Sequence, residues 1–188
     1  MIKKIYILSL VSILTLFICT SCTDYNKNNS STSIVFNPTP QFDYEYFNSL
    51  EEMKNASNLI IKGSIISDDG IHEIKLTPGE EYETEIKYHL YTIKIDETIE
   101  TSNYTNKTVQ IKIPSSEDID SKFSIGTNGI FFLETYENFP ASLINLDQSY
   151  LKIEKDKVQL DENTKELLPI NDKSNEVPVD NVIEKIQE

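Results

Sequence analysis

The sequence predicts a mainly β protein: a small antiparallel barrel of about five to seven strands, with a short helix before it and a short amphipathic helix near the C-terminus. Three observations carry this expectation. Runs rich in Ile, Val, Tyr and Phe follow one another from Leu59 to Leu160, separated by turn residues and with little helical periodicity between them. One long run, Thr84 to Thr98, switches its apolar face, with Ile86, Tyr88 and Leu90 on one parity and Tyr91, Ile93 and Ile95 on the other. A period-two pattern changes face only through an extra residue, so a bulge is expected near Leu90, and a bulged strand that bends suits a barrel corner better than a flat sandwich.

The chain opens with Lys3 and Lys4, then an apolar run from Ile5 to Ile18, then Cys19-Thr20-Ser21-Cys22. A basic start, a short apolar stretch and small residues before a cleavage point read as an export signal. A spanning helix wants about twenty apolar residues, more than this run supplies. Ser21 before Cys22 resembles the lipobox of bacterial lipoproteins, in which the cysteine receives a diacylglycerol before the leader is removed. Cys19 stands where that pattern usually has Leu. Cys22 is therefore the expected lipid-attachment residue, with residues 1–21 as signal peptide. Two or three acyl chains on one cysteine anchor stably, since each buried methylene contributes about 0.8 kcal/mol.

Processing there leaves 167 residues, enough for a single domain with a real core. With Cys19 removed and Cys22 acylated no thiol remains, so disulfides, cysteine metal sites and thiol nucleophiles are excluded from the mature chain. The full chain has 17 basic and 31 acidic residues, and losing Lys3 and Lys4 takes the formal charge from -14 to -16. Every basic residue is Lys. Nucleic-acid binding depends on a basic patch and favours Arg forks, so a nucleic-acid partner is not expected. The same charge repels anionic lipid, leaving the acyl anchor to hold the protein to the membrane.

Residues 22–33 form a polar run that cannot bury enough surface to offset ordering, and read as a flexible tether. The single β domain is placed at residues 34–162. It opens with an aromatic arm, Phe36, Phe42, Tyr44, Tyr46 and Phe47 around two prolines. Ser49 and Glu52 then have capping-box spacing, with Leu50, Met53 and Ala56 on one face of the helix they open. The arm reads as a cover for the sheet or as a peptide- or glycan-binding strip.

Leu59 to Ser67 is a strand with Gly63 at a bulge or bend, and Asp68-Asp69-Gly70 a tight turn into a short strand, His72 to Leu76. Thr77 to Glu85 is an acidic loop. After the face-switching strand, Val109, Ile111 and Ile113 alternate with Gln110 and Lys112 until Pro114. The run from Ile130 to Tyr136 is apolar on both parities, as in a strand covered on both faces. Tyr150 to Glu154 and Lys157 to Leu160, around Lys155-Asp156, read as a last hairpin. Residues 163–188 are a polar tail with a short helix proposed from Val179, Val182, Ile183 and Ile186. In outline the strand series is OB-like.

The stretches NLIIKGSIIS, YTIKIDETI, VQIKIP, NGIFFLETY and NLDQSYLKIEKDKV together resemble a family of uncharacterised exported proteins and lipoproteins of Gram-positive bacteria. Members are similar in element order to OB-like and netrin-like barrels. The resemblance spans roughly Asn58 to Leu160 and implies a fold. It brings no catalytic residue. Glu97-Thr98 and Ser149 depart from its usual Lys-Gly turn and from the Gly after Gln.

His72 and His89 are the only histidines and lack spaced partners, so both read as structural or surface residues. Glu80 to Glu85 and Glu117 to Asp120 could hold calcium, but without the Asp-x-Asp-x-Asp-Gly loop they read as solvated charge. No nucleophile elbow, phosphate loop or His-Glu-x-x-His helix is present. No catalytic residue, metal or cofactor is expected. The favoured reading is a non-catalytic binding module, lipid-anchored at the outer face of the bacterial cytoplasmic membrane, with an envelope protein or glycan as partner. The alternative is a small cell-envelope hydrolase using paired carboxylates.

Overall fold

The computed structural model describes residues 44–75, 85–101, 104–116, 119, 121–168 and 174–188. Its strands are β1 (Leu59–Lys75), β2 (Glu85–Thr101), β3 (Thr108–Pro114), β4 (Asn128–Tyr136), β5 (Phe139–Leu143), β6 (Tyr150–Glu154), β7 (Lys157–Gln159) and β8 (Glu176–Pro178). Helices α1 (Leu50–Ala56), α2 (Glu162–Lys165) and α3 (Val179–Gln187) accompany them. The protein is mainly β, as its sequence predicts.

All eight strands form one sheet in the order β1-β2-β3-β5-β4-β6-β7-β8, and β1 also pairs with β4. That extra pairing partly closes a ring of five strands, β1 to β5. Two expectations change here. The described residues form eight strands, above the expected five to seven, because Phe139–Leu143 and Glu176–Pro178 carry no long apolar run to announce them. The sheet is also not wholly antiparallel, since Ile111 and Lys112 of β3 pair in parallel with Ala141 and Ser142 of β5.

The Asp68-Asp69-Gly70 turn is corrected as well: β1 runs unbroken through it. Asp68 pairs with Tyr91 and Gly70 with Leu90, so Asp69 is an extra residue in β1, and Gly70 takes the left-handed φ of 82°. The bulge expected near Leu90 therefore lies across the ladder, on β1. A second extra residue in β1 is Ile66, and β2 has its own at Asp96 and Ile99. Each inserted residue bends its strand and increases local twist, which lets two seventeen-residue strands curve around the ring.

Alternation builds two apolar layers. On β4, Phe131 and Leu133 face the ring interior with Tyr91, Ile93, Ile111 and Ile113, whereas Ile130 and Phe132 face a layer beneath α1 and α3. Covering both faces explains the unbroken apolar run of this strand. Gly129 is required where β4 meets β6, because a Cβ there would overlap the Tyr150 ring. The segment read as a polar tail contributes β8, paired to β7, and α3, whose Val179, Val182, Ile183 and Ile186 are all buried as their spacing predicts.

At α1 the Ser49 Oγ accepts from the Glu52 amide at 3.2 Å, the first half of the expected capping box. The Glu52 carboxylate, however, accepts from the Asn48 amide at 2.8 Å, one residue earlier than the motif specifies. Leu50 and Met53 are buried and Ala56 is exposed, so the packed face is shorter than its spacing suggests. No helix among the described residues is long and apolar enough to cross a membrane.

Candidate binding surface

The outer face of the ring carries a cleft of about 490 Å³. Its floor comes from outward residues of neighbouring strands: Tyr88 on β2, Lys112 on β3, Ser142 on β5, and Glu134 and Tyr136 on β4. Ile111, Ile113, Ala141 and Leu143 point inward, which leaves Lys112 and Ser142, a cross-strand pair, to point out. The end of the aromatic arm, Tyr44, Glu45 and Phe47, forms the remaining wall.

Lys112 Nζ lies 4.8 Å from the centroid of the Tyr136 ring and 5.9 Å from that of Tyr88. Both rings are within cation–π reach of the ammonium. The Tyr136 hydroxyl donates to Glu134 Oε2 at 2.7 Å. Burial, with the neighbouring Tyr88 and Tyr136 adding to it, pushes the Tyr44 phenol up to about 12. Burial raises Tyr88 and Tyr136 too, the latter with help from its bond to Glu134. All three phenols are thus neutral at physiological pH, and the single O–H of Tyr136 points at Glu134. The surface continues past Tyr136 to Phe139, 71% exposed at the β4–β5 hairpin, where Asn138 adopts the left-handed φ of 65°.

The arm is held against this surface by the turn between β5 and β6. Gln148, fully buried, accepts from the Phe47 amide at 2.8 Å and donates to the Phe47 carbonyl at 2.9 Å, as a second strand would. Asn145 donates to the Glu45 carbonyl at 2.8 Å, while its Oδ1 accepts from the amides of Asp147 and Gln148. Ser149 closes the turn by donating to the Asn145 carbonyl.

A second polar cluster lies at the β1 bulge. Asp69 accepts from Ser67 at 2.7 Å, Thr92 at 2.8 Å and Gln110 at 3.0 Å, a line across three strands that holds its carboxyl below the usual carboxylate range. Asp68 lies 2.6 Å from His89 Nε2 and accepts from the Gly70 amide, and the His89 contact above all lowers it too. The other ring nitrogen of His89, Nδ1, lies 3.1 Å from the Tyr91 hydroxyl, and the two rings stack with centroids 4.4 Å apart. The order of exposure matters for chemistry: the hydroxyl of this trio belongs to Tyr91, 1% exposed inside the ring, and the carboxylate to Asp68 at the surface. A nucleophile needs the reverse arrangement.

His72, opposite Tyr88, and His89, opposite Ile71, project from opposite faces of the β1–β2 ribbon, so the two histidines do not meet. His72 Nε2 lies 3.3 Å from the Asp69 carbonyl and is exposed. Among the described residues no three His, Cys, Asp or Glu side chains gather as a metal site requires. Cys22, Phe36, Phe42, Glu80, Glu81, Glu83, Glu117, Asp118 and Asp120 lie outside the described residues; Glu85 is exposed at the start of β2. Sequence reasoning missed Lys112, Tyr136, Asn145 and Gln148. A usable signal was present for two of them: Lys112 stands on the outward parity of β3, and Tyr136 is an aromatic continuing past the covered part of β4. Compared with protein-family models and with curated proteins, the chain has no match.

Proposed function

We propose that this chain is a bacterial lipoprotein, anchored through Cys22 at the outer face of the cytoplasmic membrane, that acts as a non-catalytic binding module for a cell-envelope component. The cleft bounded by half-buried Tyr44 and Tyr88 and exposed Tyr136 carries the reading, because aromatics with a few convergent polar groups in a concavity of this size are how small-molecule sites are built. The leader and the lipobox-like Thr20-Ser21-Cys22 support the anchor, as does the resemblance of Asn58 to Leu160 to Gram-positive lipoproteins. We also read the partly closed ring as a small OB-like barrel. Its five strands return from β4 to β1, with β3 and β5 parallel, and the bulges in β1 and β2 supply the bend.

Two measurements in living cells test this. A fatty-acid analogue should label the wild-type chain and not Cys22→Ala, and the variant should leave the membrane fraction. A photo-crosslinking residue at Tyr136 should capture an envelope component that the same residue at exposed Glu162 does not. Unchanged labelling would remove the anchor, and identical capture from both positions would remove the cleft as the binding surface.

A further inference from the structure

We propose that the cleft binds an uncharged saccharide, presented by a glycan of the cell envelope. This inference rests on the reading of the chain as an envelope-facing binding module and names its ligand class. Charge makes the first selection. Among the described residues the cleft is lined by one ammonium, Lys112, and two carboxylates, Glu45 and Glu134, so a charged ligand of either sign meets a like charge within the same cavity. An uncharged ligand avoids it.

Functional groups make the second selection. The lining mixes donors and acceptors, with neutral phenols, the Lys112 ammonium, the Ser142 hydroxyl and the Glu134 carboxylate that already accepts from Tyr136, and this mixture matches the hydroxyls and acetamido groups of sugars. The Tyr faces supply apolar platforms for the C–H faces of pyranose rings. Backbone topology makes the third selection, against a peptide. The floor strands β3 and β5 are each bonded on both sides, β3 to β2 and β5, β5 to β3 and β4. Peptides commonly gain affinity by adding a strand to an open edge, and this floor offers none.

The test uses the full-length lipidated protein in nanodiscs, titrated calorimetrically. Its probes are uncharged tetrasaccharides of N-acetylglucosamine, glucose and galactose, tetragalacturonate as the anion, protonated tetraglucosamine as the cation, and a capped Gly-Ser tetrapeptide. At least one uncharged tetrasaccharide should bind, with the charged sugars and the peptide weaker by about tenfold or more. Tyr136→Ala should weaken that binding by about tenfold without lowering the thermal midpoint, since Tyr136 is 40% exposed. Lys112→Met should improve binding of the cation and Glu134→Gln that of the anion. Tighter binding of a charged sugar or of the peptide, or no binding of any uncharged sugar, overturns the inference. If no sugar binds while Tyr136 still captures an envelope component in cells, the ligand class falls and the binding-module reading stands; if that capture fails too, both fall.

Discussion

The arm latch and the β1 bulge solve the same problem by opposite means. Each pins irregular backbone with side chains: Gln148 and Asn145 hold the segment from Glu45 to Phe47, and Asp68 and Asp69 hold the inserted turn of β1. The latch is buried and uncharged, with Gln148 at 0% exposure and Asn145 at 4%. The bulge is exposed and ionic. Water competes for every bond at the bulge and for almost none at the latch, so similar distances carry very different weight. The difference teaches that the latch on the cleft wall is made by neutral amides that do not titrate in acid, whereas the outer ribbon of β1 and β2 is tied by carboxylates that do.

The comparison breaks most visibly at Gln148. Gln148→Ala strands a buried amide and a buried carbonyl of Phe47, each costing about 1–3 kcal/mol when left unpaired, so a loss of about 3 kcal/mol is expected in urea unfolding. The same variant should weaken any cleft ligand, because Tyr44 and Glu45 lose their positioning. A loss below about 1 kcal/mol would mean that water replaces the amide and that the latch is not dry. Next in size is Tyr91→Phe, which keeps the ring packed against Phe123 and removes the hydroxyl that reaches His89. About 1 kcal/mol is expected, since one partner of a partly buried bond is lost. A cost near that of Gln148→Ala would show that the bulge network reaches the interior and is not a surface feature.

The cleft itself should respond to alkali. A phenol whose folded-state pKa is raised contributes stability fully below its ordinary value of 10.0, and that contribution is lost as pH rises through the folded value, about 12 for Tyr44. Ultraviolet titration should therefore show some tyrosinate forming late, with stability falling over this window. Tyr44→Phe should flatten the fall, and an unchanged profile would show that Tyr44 is not the phenol responsible.

Much of the architecture was legible because it depends on short-range pattern. The parity of β3, the two covered faces of β4 and the buried stripe of α3 all follow from residue spacing. What escaped depends on which strands meet. Asp68-Asp69-Gly70 satisfies a hairpin turn and a bulge equally well, because both want Gly at a positive φ, and only the continued pairing of β1 with β2 decides. Phe139–Leu143 is five residues long and contains Pro140 and Ser142, so it lacks a strand signature and is recruited by its neighbours β3 and β4. The cleft was illegible for the same reason. Tyr88 and Lys112 adjoin across the antiparallel ladder of β2 and β3, but Tyr136 joins them through the parallel contact of β3 with β5, a pairing no local pattern encodes. Gln148 was visible only as a polar residue in a turn, and its burial follows from the arm it receives.

The smallest expected effect sharpens the comparison most cleanly. The Asp68 and Asp69 carboxyls are held below the usual carboxylate range, chiefly by His89 for the first and by Ser67 for the second. A depressed folded-state pKa contributes stability above the ordinary carboxylate range and loses it as pH falls through the lowered value. Both groups are exposed and screened, so global stability should change little, by about half a kcal/mol or less in Asp68→Asn. Locally the consequence is ordered. Acidification should release the Gly70 amide, which bonds Asp68 at 3.0 Å, while the Phe47 amide, bonded to Gln148 at 2.8 Å, remains protected. Hydrogen exchange of these two amides across an acid series measures this directly, with Asp68→Asn removing the pH dependence at Gly70 alone. Simultaneous loss of protection at both would mean that the bulge and the latch open as one unit, and that burial does not separate them.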